Sequence, residues 1–341
     1  MSLTVAVIGA GIIAVEHLDA LKGMEELQAI AVADIDEAKA EKISEDYQVK
    51  GYSDYRKMIE SESPDIVVIT LPHFLHKEAA VFAASKGCHI LLEKPMALTI
   101  TECDEIIGAA EKNRICLMVG HIQHYFQENI IAREQIESGE LGELIMINET
   151  RHMNYFTSGR PQWFLEAEKS GGGIVMNIGA HCIDKTQWLM GSRYAKVLSK
   201  LTYRGEVEGF SPDVEGSGLL YLETIDQIPV TISLSGYEGV PKHVTELIFT
   251  NGMMKVEVGK GVWISEGDAY QLVHYPKGSS PFKKQFAELT AAINRKEVIR
   301  NSGEYARSII EVIEACYRSN KEGKIIELKD ASLQRRSDPL F

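Results

Sequence analysis

Hydrophobic positions in the first 120 or so residues fall into short solid runs, separated by longer stretches in which apolar residues recur every three or four places. The runs are Leu3 to Ile8, Leu27 to Ala33, Asp65 to Leu71, His89 to Leu92 and Ile115 to Val119. Ile66-Val67-Val68-Ile69 contains no polar position, so both faces of that strand need cover, as in the centre of a parallel sheet. Between the runs, segments such as Asp36 to Asp46 and Thr101 to Lys112 carry charge on one side of a helical period. Strands and helices alternating in this way predict βαβ crossovers and a doubly wound α/β parallel sheet.

The pattern changes past His121. A helical stretch from about Asn129 to Ser138 precedes Gly139 and Gly142, and an alternating segment runs from Glu143 to Met153. Gly171-Gly172-Gly173 leads into a helix reaching about Leu189. Strand-like runs follow at Val197 to Tyr203, Gly218 to Leu222, Val230 to Leu234 and Thr245 to Phe249. Successive strands with few helices between them indicate a mostly antiparallel sheet, hence an α+β domain. Two helical segments, around Phe282 to Asn294 and Glu304 to Ser319, close the pattern. The expected division is therefore residues 1–121 and 122–341, without a long linker or internal repeats.

Composition narrows the function classes. The 341 residues, 45% hydrophobic and 25% charged, supply globular cores of ordinary size, and a norm of ~150 residues per domain agrees with two of them. With 36 Lys and Arg against 49 Asp and Glu, the net charge of -13 repels a phosphate backbone, so nucleic acid is not an expected partner. Leu3 to Val15 imitates a signal-peptide core, but no Lys or Arg precedes it, and it reads as a buried strand entering a helix. No run of ~18 apolar residues is present, so no membrane span is expected. The five cysteines, Cys88, Cys103, Cys116, Cys182 and Cys316, form no C-x-x-C pair. Neither a disulfide framework nor a structural zinc site follows, and a reducing cytoplasm is the expected compartment.

Gly9-Ala10-Gly11-Ile12-Ile13-Ala14 comes directly after the first strand and opens a helix, the context in which a G-x-G-x-x-G/A string binds a dinucleotide on a Rossmann sheet. Gly9 permits the tight turn, Gly11 lets the backbone approach a pyrophosphate at the helix N-terminus, and Ala14 keeps helix and strand close. Asp34 ends the second strand, where a carboxylate accepts hydrogen bonds from ribose hydroxyls and repels a 2′-phosphate. Ile35 follows it rather than an Arg, so NAD is favoured over NADP. The alternative for Asp34 is a cap on the helix beginning near Asp36.

Three further motifs carry a resemblance. Leu71-Pro72-His73 with His76 follows the third predicted strand, Glu93-Lys94-Pro95 follows the fourth, and Gly171-Gly172-Gly173-Ile174-Val175-Met176-Asn177-Ile178-Gly179-Ala180-His181 lies in the second domain. With the fingerprint, these resemble the Gfo/Idh/MocA family of oxidoreductases over most of the chain. The resemblance implies a nucleotide-binding first domain, a second domain whose large open sheet often makes an oligomer interface, and a substrate cleft between the two. It further implies a homodimer or homotetramer and a sugar, polyol or cyclitol substrate. Cofactor contacts are then expected from Gly9, Gly11, Ile12, Ile13, Asp34, Leu71, Pro72, His73, His76, Glu93 and Lys94. By the same resemblance, Lys94 contacts the reacting oxygen and His181 accepts its proton, with Asn177 beside them.

Chemistry asks for the same groups. Hydride loss from a secondary alcohol is accompanied by loss of the hydroxyl proton, so a base and a group polarising the oxygen are both needed. A charged Lys94 stabilises a developing alkoxide, and an imidazole titrates near ~6.5. Asn177 stands where many relatives carry Asp. His124-Tyr125-Phe126 replaces a segment that commonly contains Arg-Phe, and Phe164 follows Trp163 where relatives often show Trp-Arg. Fewer cations near the cleft would disfavour a strongly anionic substrate. Arg151, His152, Tyr155 and Trp163 are candidates to line the substrate site, with Trp163 as a stacking face. His73 and His76 lack a nearby third metal ligand, so no metal is expected. Two other readings stay open: a glycosidase or lyase that retains NAD and oxidises its sugar transiently, and a dinucleotide-sensing regulator.

Overall fold

The computed structural model describes residues 2–275 and 280–328, which divide into two compact units, 2–122 with 280–307 and 123–275 with 308–328. The first unit alternates strand and helix as the pattern requires: β1 (Leu3–Ile8), α1 (Ile12–Leu21), β2 (Leu27–Ala33), α2 (Glu37–Tyr47), β3 (Lys50–Tyr52), α3 (Tyr55–Glu62), β4 (Ile66–Ile69), α4 (His76–Ser85), β5 (His89–Leu92), α5 (Ile100–Asn113) and β6 (Leu117–Val119). All six strands are parallel, in the order β3-β2-β1-β4-β5-β6. The order reverses between β1 and β4, so the carboxyl ends of those two strands open the crevice in which such sheets hold ligands. Ile66, Val67, Val68 and Ile69 are wholly buried, as a strand covered on both faces must be. The β3–α3 pair was not foreseen, because three residues reading Lys-Gly-Tyr carry no hydrophobic signal.

The second unit contains α6 (Gln127–Ser138), β7 (Leu144–His152), α7 (Ala167–Ser170) and α8 (Ala180–Met190). Strands β8 (Tyr194–Thr202), β9 (Ser217–Thr224), β10 (Pro229–Ser235), β11 (Lys242–Phe249), β12 (Gly252–Glu257), β13 (Gly261–Glu266) and β14 (Ala269–His274) follow. The chain then runs through α9 (Pro281–Arg295), which belongs to the first unit, into α10 (Gly303–Glu322) and β15 (Ile326–Glu327). The sheet order is β14-β13-β12-β11-β7-β10-β9-β8-β15. Every pairing is antiparallel except β10 with β7. Burial alternates along β9 and β10, so one face is covered while the other leaves Leu198 and Leu219 exposed.

One expected boundary is wrong. The expected division puts residues 280–307 with 122–341, yet they pack on the first unit. Phe286 and Leu289 of α9 lie in one core with Val5, Val7 and Leu18, and the Asn301 carbonyl accepts from the Val119 amide at 2.8 Å. A hydrophobic stripe announces that a helix is buried but not against what. Among the described residues, no helix is long and apolar enough to cross a membrane.

Candidate functional site

In the first unit, the glycine-rich turn follows β1. Gly9 has φ +98°, and a Cβ there would stand 2.7 Å from Thr70 Oγ1 and 2.8 Å from the Thr70 carbonyl, so the turn closes against β4 only as glycine. Gly11 is the N-cap of α1 and makes no side-chain cap bond, and a Cβ on it would meet open space. The helix therefore presents its first amide donors uncovered, the arrangement that binds an anion. Ile12 is 84% and Ile13 42% exposed, apolar walls beside those donors.

Asp34 Oδ2 accepts from the Ala10 amide at 2.8 Å and Oδ1 from the Asp36 amide at 2.9 Å. The capping role belongs to Asp36, whose side chain accepts from Lys39 N, so Asp34 is not the cap of α2. It ties the end of β2 to the glycine turn, and a carboxylate with two bonds made keeps lone pairs for ribose hydroxyls. A cradle that excludes a Cβ, an open helix N-terminus and this carboxylate together fit a dinucleotide.

The loops after β4 and β5 form the edge of the same unit. Leu71 and Pro72 are half-buried, and His73 is nearly covered. His76 is wholly buried, with Nδ1 2.9 Å from the Pro95 carbonyl and Nε2 2.8 Å from that of Leu71. Burial holds its pKa below the usual imidazole value even though both carbonyls favour the charged form. His76 therefore braces one loop against the other, with both ring nitrogens turned to protein carbonyls.

Glu93 Oε1 pairs with His17 Nε2 at 2.9 Å, and Oε2 accepts from the Lys94 amide at 3.1 Å. Burial works to raise the Glu93 pKa, but the His17 hydrogen bond and the neighbouring charges outweigh it and hold the carboxyl below its ordinary value. His17 lies between the edges of Phe282 and Phe286, at 4.9 and 5.7 Å. Its signal in the sequence was a polar residue within the apolar stripe Ala14, Leu18, Leu21, and it was missed. The half-buried Lys94 thus has its backbone fixed through Glu93 and His17, and its bond to Pro95 is cis.

In the second unit the glycine-rich segment is shaped by protein rather than by ligand. Gly172 has φ +149°, and a Cβ there would lie 1.8 Å from Tyr317 Oη, while one on Gly173 would lie 2.1 Å from the Glu215 carbonyl. Glu215, 1% exposed, accepts from the Gly173 and Val175 amides at 2.9 Å and from Tyr317 Oη at 3.0 Å. Its burial raises its pKa against those bonds. This clamp was not foreseen, because Glu215 is far from the glycines in sequence.

The clamped turn leads into a π-helical segment, Val175–Gly179, and then α8, so the expected helix begins with a widened turn. Such turns recur at functional sites. Asn177, 7% exposed, has Nδ2 3.5 Å from Tyr155 Oη. His181 stands four residues on and is half-exposed. Burial pushes the Tyr155 hydroxyl up to about 12, so it stays protonated at neutral pH. The Arg160 guanidinium lies 3.8 Å above the Tyr155 ring and 5.1 Å from that of Phe164, which stacks on Trp163 at 3.7 Å.

Of the residues named from sequence, Asn177, Tyr155 and Trp163 therefore belong to one connected group. His152 does not, since its Nε2 meets Ser233 Oγ on the other face of the sheet. His124 pairs with the buried Asp184 at 2.7 Å and stacks on Trp188, a core anchor. Among the described residues, no group of three or more His, Cys, Asp or Glu is arranged to hold a metal ion.

The model of an oxidoreductase family with an NAD-binding Rossmann fold matches residues 3–121, and that of the GFO/IDH/MocA C-terminal domain matches 130–255. The chain belongs to the Gfo/Idh/MocA oxidoreductase family, and its first unit is an NAD-binding domain. Among similar proteins, a 2,7-anhydro-N-acetylneuraminate hydratase of Mediterraneibacter gnavus is 24% identical, over 95% of this chain and 96% of its own. A D-glucoside 3-dehydrogenase of Escherichia coli is 28% identical, over 65% of this chain and 70% of its own. A levoglucosan dehydrogenase solved with NADH shares the fold with a TM-score of 0.88 at 18% identity, over 96% of this chain and all of that one.

Proposed function

We propose that the protein moves a hydride between NAD and a secondary alcohol or ketone of a sugar, polyol or cyclitol. The observation that carries this reading lies within the first unit. The Gly9–Gly11 cradle shares a sheet edge with Lys94, whose backbone is fixed by Glu93. When bound, NAD supplies the hydride acceptor or donor. The Lys94 ammonium holds the substrate oxygen and stabilises negative charge developing on it. His181 takes the hydroxyl proton on oxidation and returns it on reduction. The amide of Asn177 and the protonated hydroxyl of Tyr155 bond adjacent hydroxyls, and Trp163 offers a face to the ring. Copies of the chain associate through the exposed face of the second sheet, as a homodimer or homotetramer.

The test is absorbance at 340 nm with NAD or NADH across sugars, inositols and keto-sugars. Lys94→Ala should lower turnover by about 100- to 1000-fold while leaving NAD affinity within a few-fold. His181→Ala should cost about 100- to 10,000-fold. Unchanged turnover in either variant refutes its role. A second reading, transient oxidation by a retained NAD, is favoured by the uncharged Asn177 and by the hydratase spanning 95% of the chain. It predicts product without net NADH, which product analysis separates from the first.

A further inference from the structure

Four residues on the helix-covered face of the second sheet form a cluster that the proposed chemistry does not use. Glu149 and Arg151 of β7 stand directly opposite Thr245 and His243 of β11. From α8, the buried Lys185 reaches Glu149 Oε1 at 2.8 Å, Thr245 Oγ1 at 2.7 Å and His243 Nε2 at 3.1 Å, and Thr245 in turn donates to Glu149 Oε2 at 2.6 Å. The Glu149 carboxylate is therefore met by the Lys185 ammonium on one oxygen and the Thr245 hydroxyl on the other, with His243 Nε2 3.6 Å from Oε1.

Arg151 is the surplus cation. Its bonds to protein run from one nitrogen, Nη1, to the ring nitrogens of His243 at 3.1 and 3.2 Å. Among the described residues it has no carboxylate partner. Burial and the two neighbouring cations push the His243 pKa down to about 2, so the ring stays neutral and adds no charge of its own. The ring therefore offers a lone pair rather than a charge to the two cations beside it.

This cluster adjoins the turn that carries Asn177 and His181. Leu234, the β10 residue opposite Arg151, would lie 3.0 Å from a Cβ on Gly179. Cys182, next to His181, feels the charges of Glu149, Lys185 and Arg151. On the other side of Asn177, Arg160 bonds the Tyr155 carbonyl at 2.5 Å and likewise has no carboxylate partner among the described residues. A part-buried guanidinium whose hydrogen bonds, among the described residues, run only to neutral groups is a costly arrangement, and a forked anion relieves it.

We infer that the substrate carries a carboxylate, received by Arg151 beside the neutral His243. This deepens the proposed oxidoreductase reading and rests on it. It runs against the expectation, drawn from the absence of the family's usual arginines, that a strongly anionic substrate is disfavoured. Here the cations come from β7 and the 153–166 connection instead.

The experiment is calorimetric titration of the NAD-loaded protein with D-glucuronate, D-galacturonate, D-gluconate and N-acetylneuraminate, each against a neutral counterpart: D-glucose, D-galactose, sorbitol and N-acetylmannosamine. At least one acid should bind tenfold or more tighter than its counterpart. Arg151→Met should weaken that acid by about 10- to 100-fold and the neutral sugar by less than twofold. Arg151→Lys should restore part of the loss. No acid binding, equal binding of acid and neutral sugar, or an equal loss of both in Arg151→Met overturns the inference. Acid binding that requires Arg151 without any redox turnover supports the subsite and refutes the reaction. Turnover of neutral sugars that ignores Arg151 does the reverse.

Discussion

Glu215→Gln tests whether the glycine turn is held by a buried carboxylate or merely by its shape. The amide keeps an oxygen for the three donors that meet Oε1, those of Gly173, Val175 and Tyr317, and loses the second contact of the Gly173 amide with Oε2. Weaker neutral bonds are offset by no longer burying a charge, so the variant should lie within about 1 kcal/mol of the parent at pH 7. Glu215→Ala leaves the three donors without an acceptor, at about 1 kcal/mol or more each, for a loss of about 3–5 kcal/mol.

The two variants also separate by pH. Burial raises the Glu215 pKa in the folded state, so the folded chain holds that proton more tightly than the unfolded chain. The parent's stability from this group is greatest below the ordinary carboxyl value of ~4.3 and declines as pH rises through the raised one, by ~1.4 kcal/mol for each pH unit separating the two. Glu215→Gln has no such decline. Urea unfolding from pH 4.5 to 8 should therefore show the parent losing ground to Glu215→Gln as pH rises, with the other carboxylates cancelling in the difference. NAD affinity should be unchanged in both variants, while Glu215→Ala lowers kcat because the turn leading to Asn177 and His181 is loosened. A difference that does not vary with pH, or a Gln variant as unstable as the Ala variant, refutes the reasoning.

Gly9→Ala must place its Cβ against Thr70 at a φ of +98°. A backbone strain of about 1–3 kcal/mol should appear in thermal unfolding, and NAD binding should be lost; an unaffected NAD titration contradicts the cradle. In the parent, NAD should bind more tightly than NADP, and Asp34→Ala should weaken NAD by about 10- to 100-fold while narrowing that gap. Tighter NADP binding by the parent would overturn the role given to Asp34.

Local pattern was enough wherever one short segment determined its own structure. The solid apolar run of β4, the glycine fingerprint before α1 and the alternation of β9 and β10 each state their geometry within a few residues, because strand burial and positive φ are local demands. The sequence by itself therefore established a parallel dinucleotide-binding sheet followed by a mostly antiparallel one, and placed Gly9, Gly11, Asp34 and Lys94 at strand ends. Tertiary structure alone decided which distant groups complete a local feature. Glu215 closes the glycine turn from about 40 residues away, Phe282 and Phe286 of α9 return to cover His17, and His76 spends both ring nitrogens between two loops. Arg151 reads in sequence as one of four candidates to line the substrate site, with nothing to show which charges surround it. Only the register of β7 with β11, and the reach of Lys185 into Glu149, leave its guanidinium without a carboxylate partner among the described residues. Partnership among charges depends on packing between elements, and no periodicity within one element encodes it.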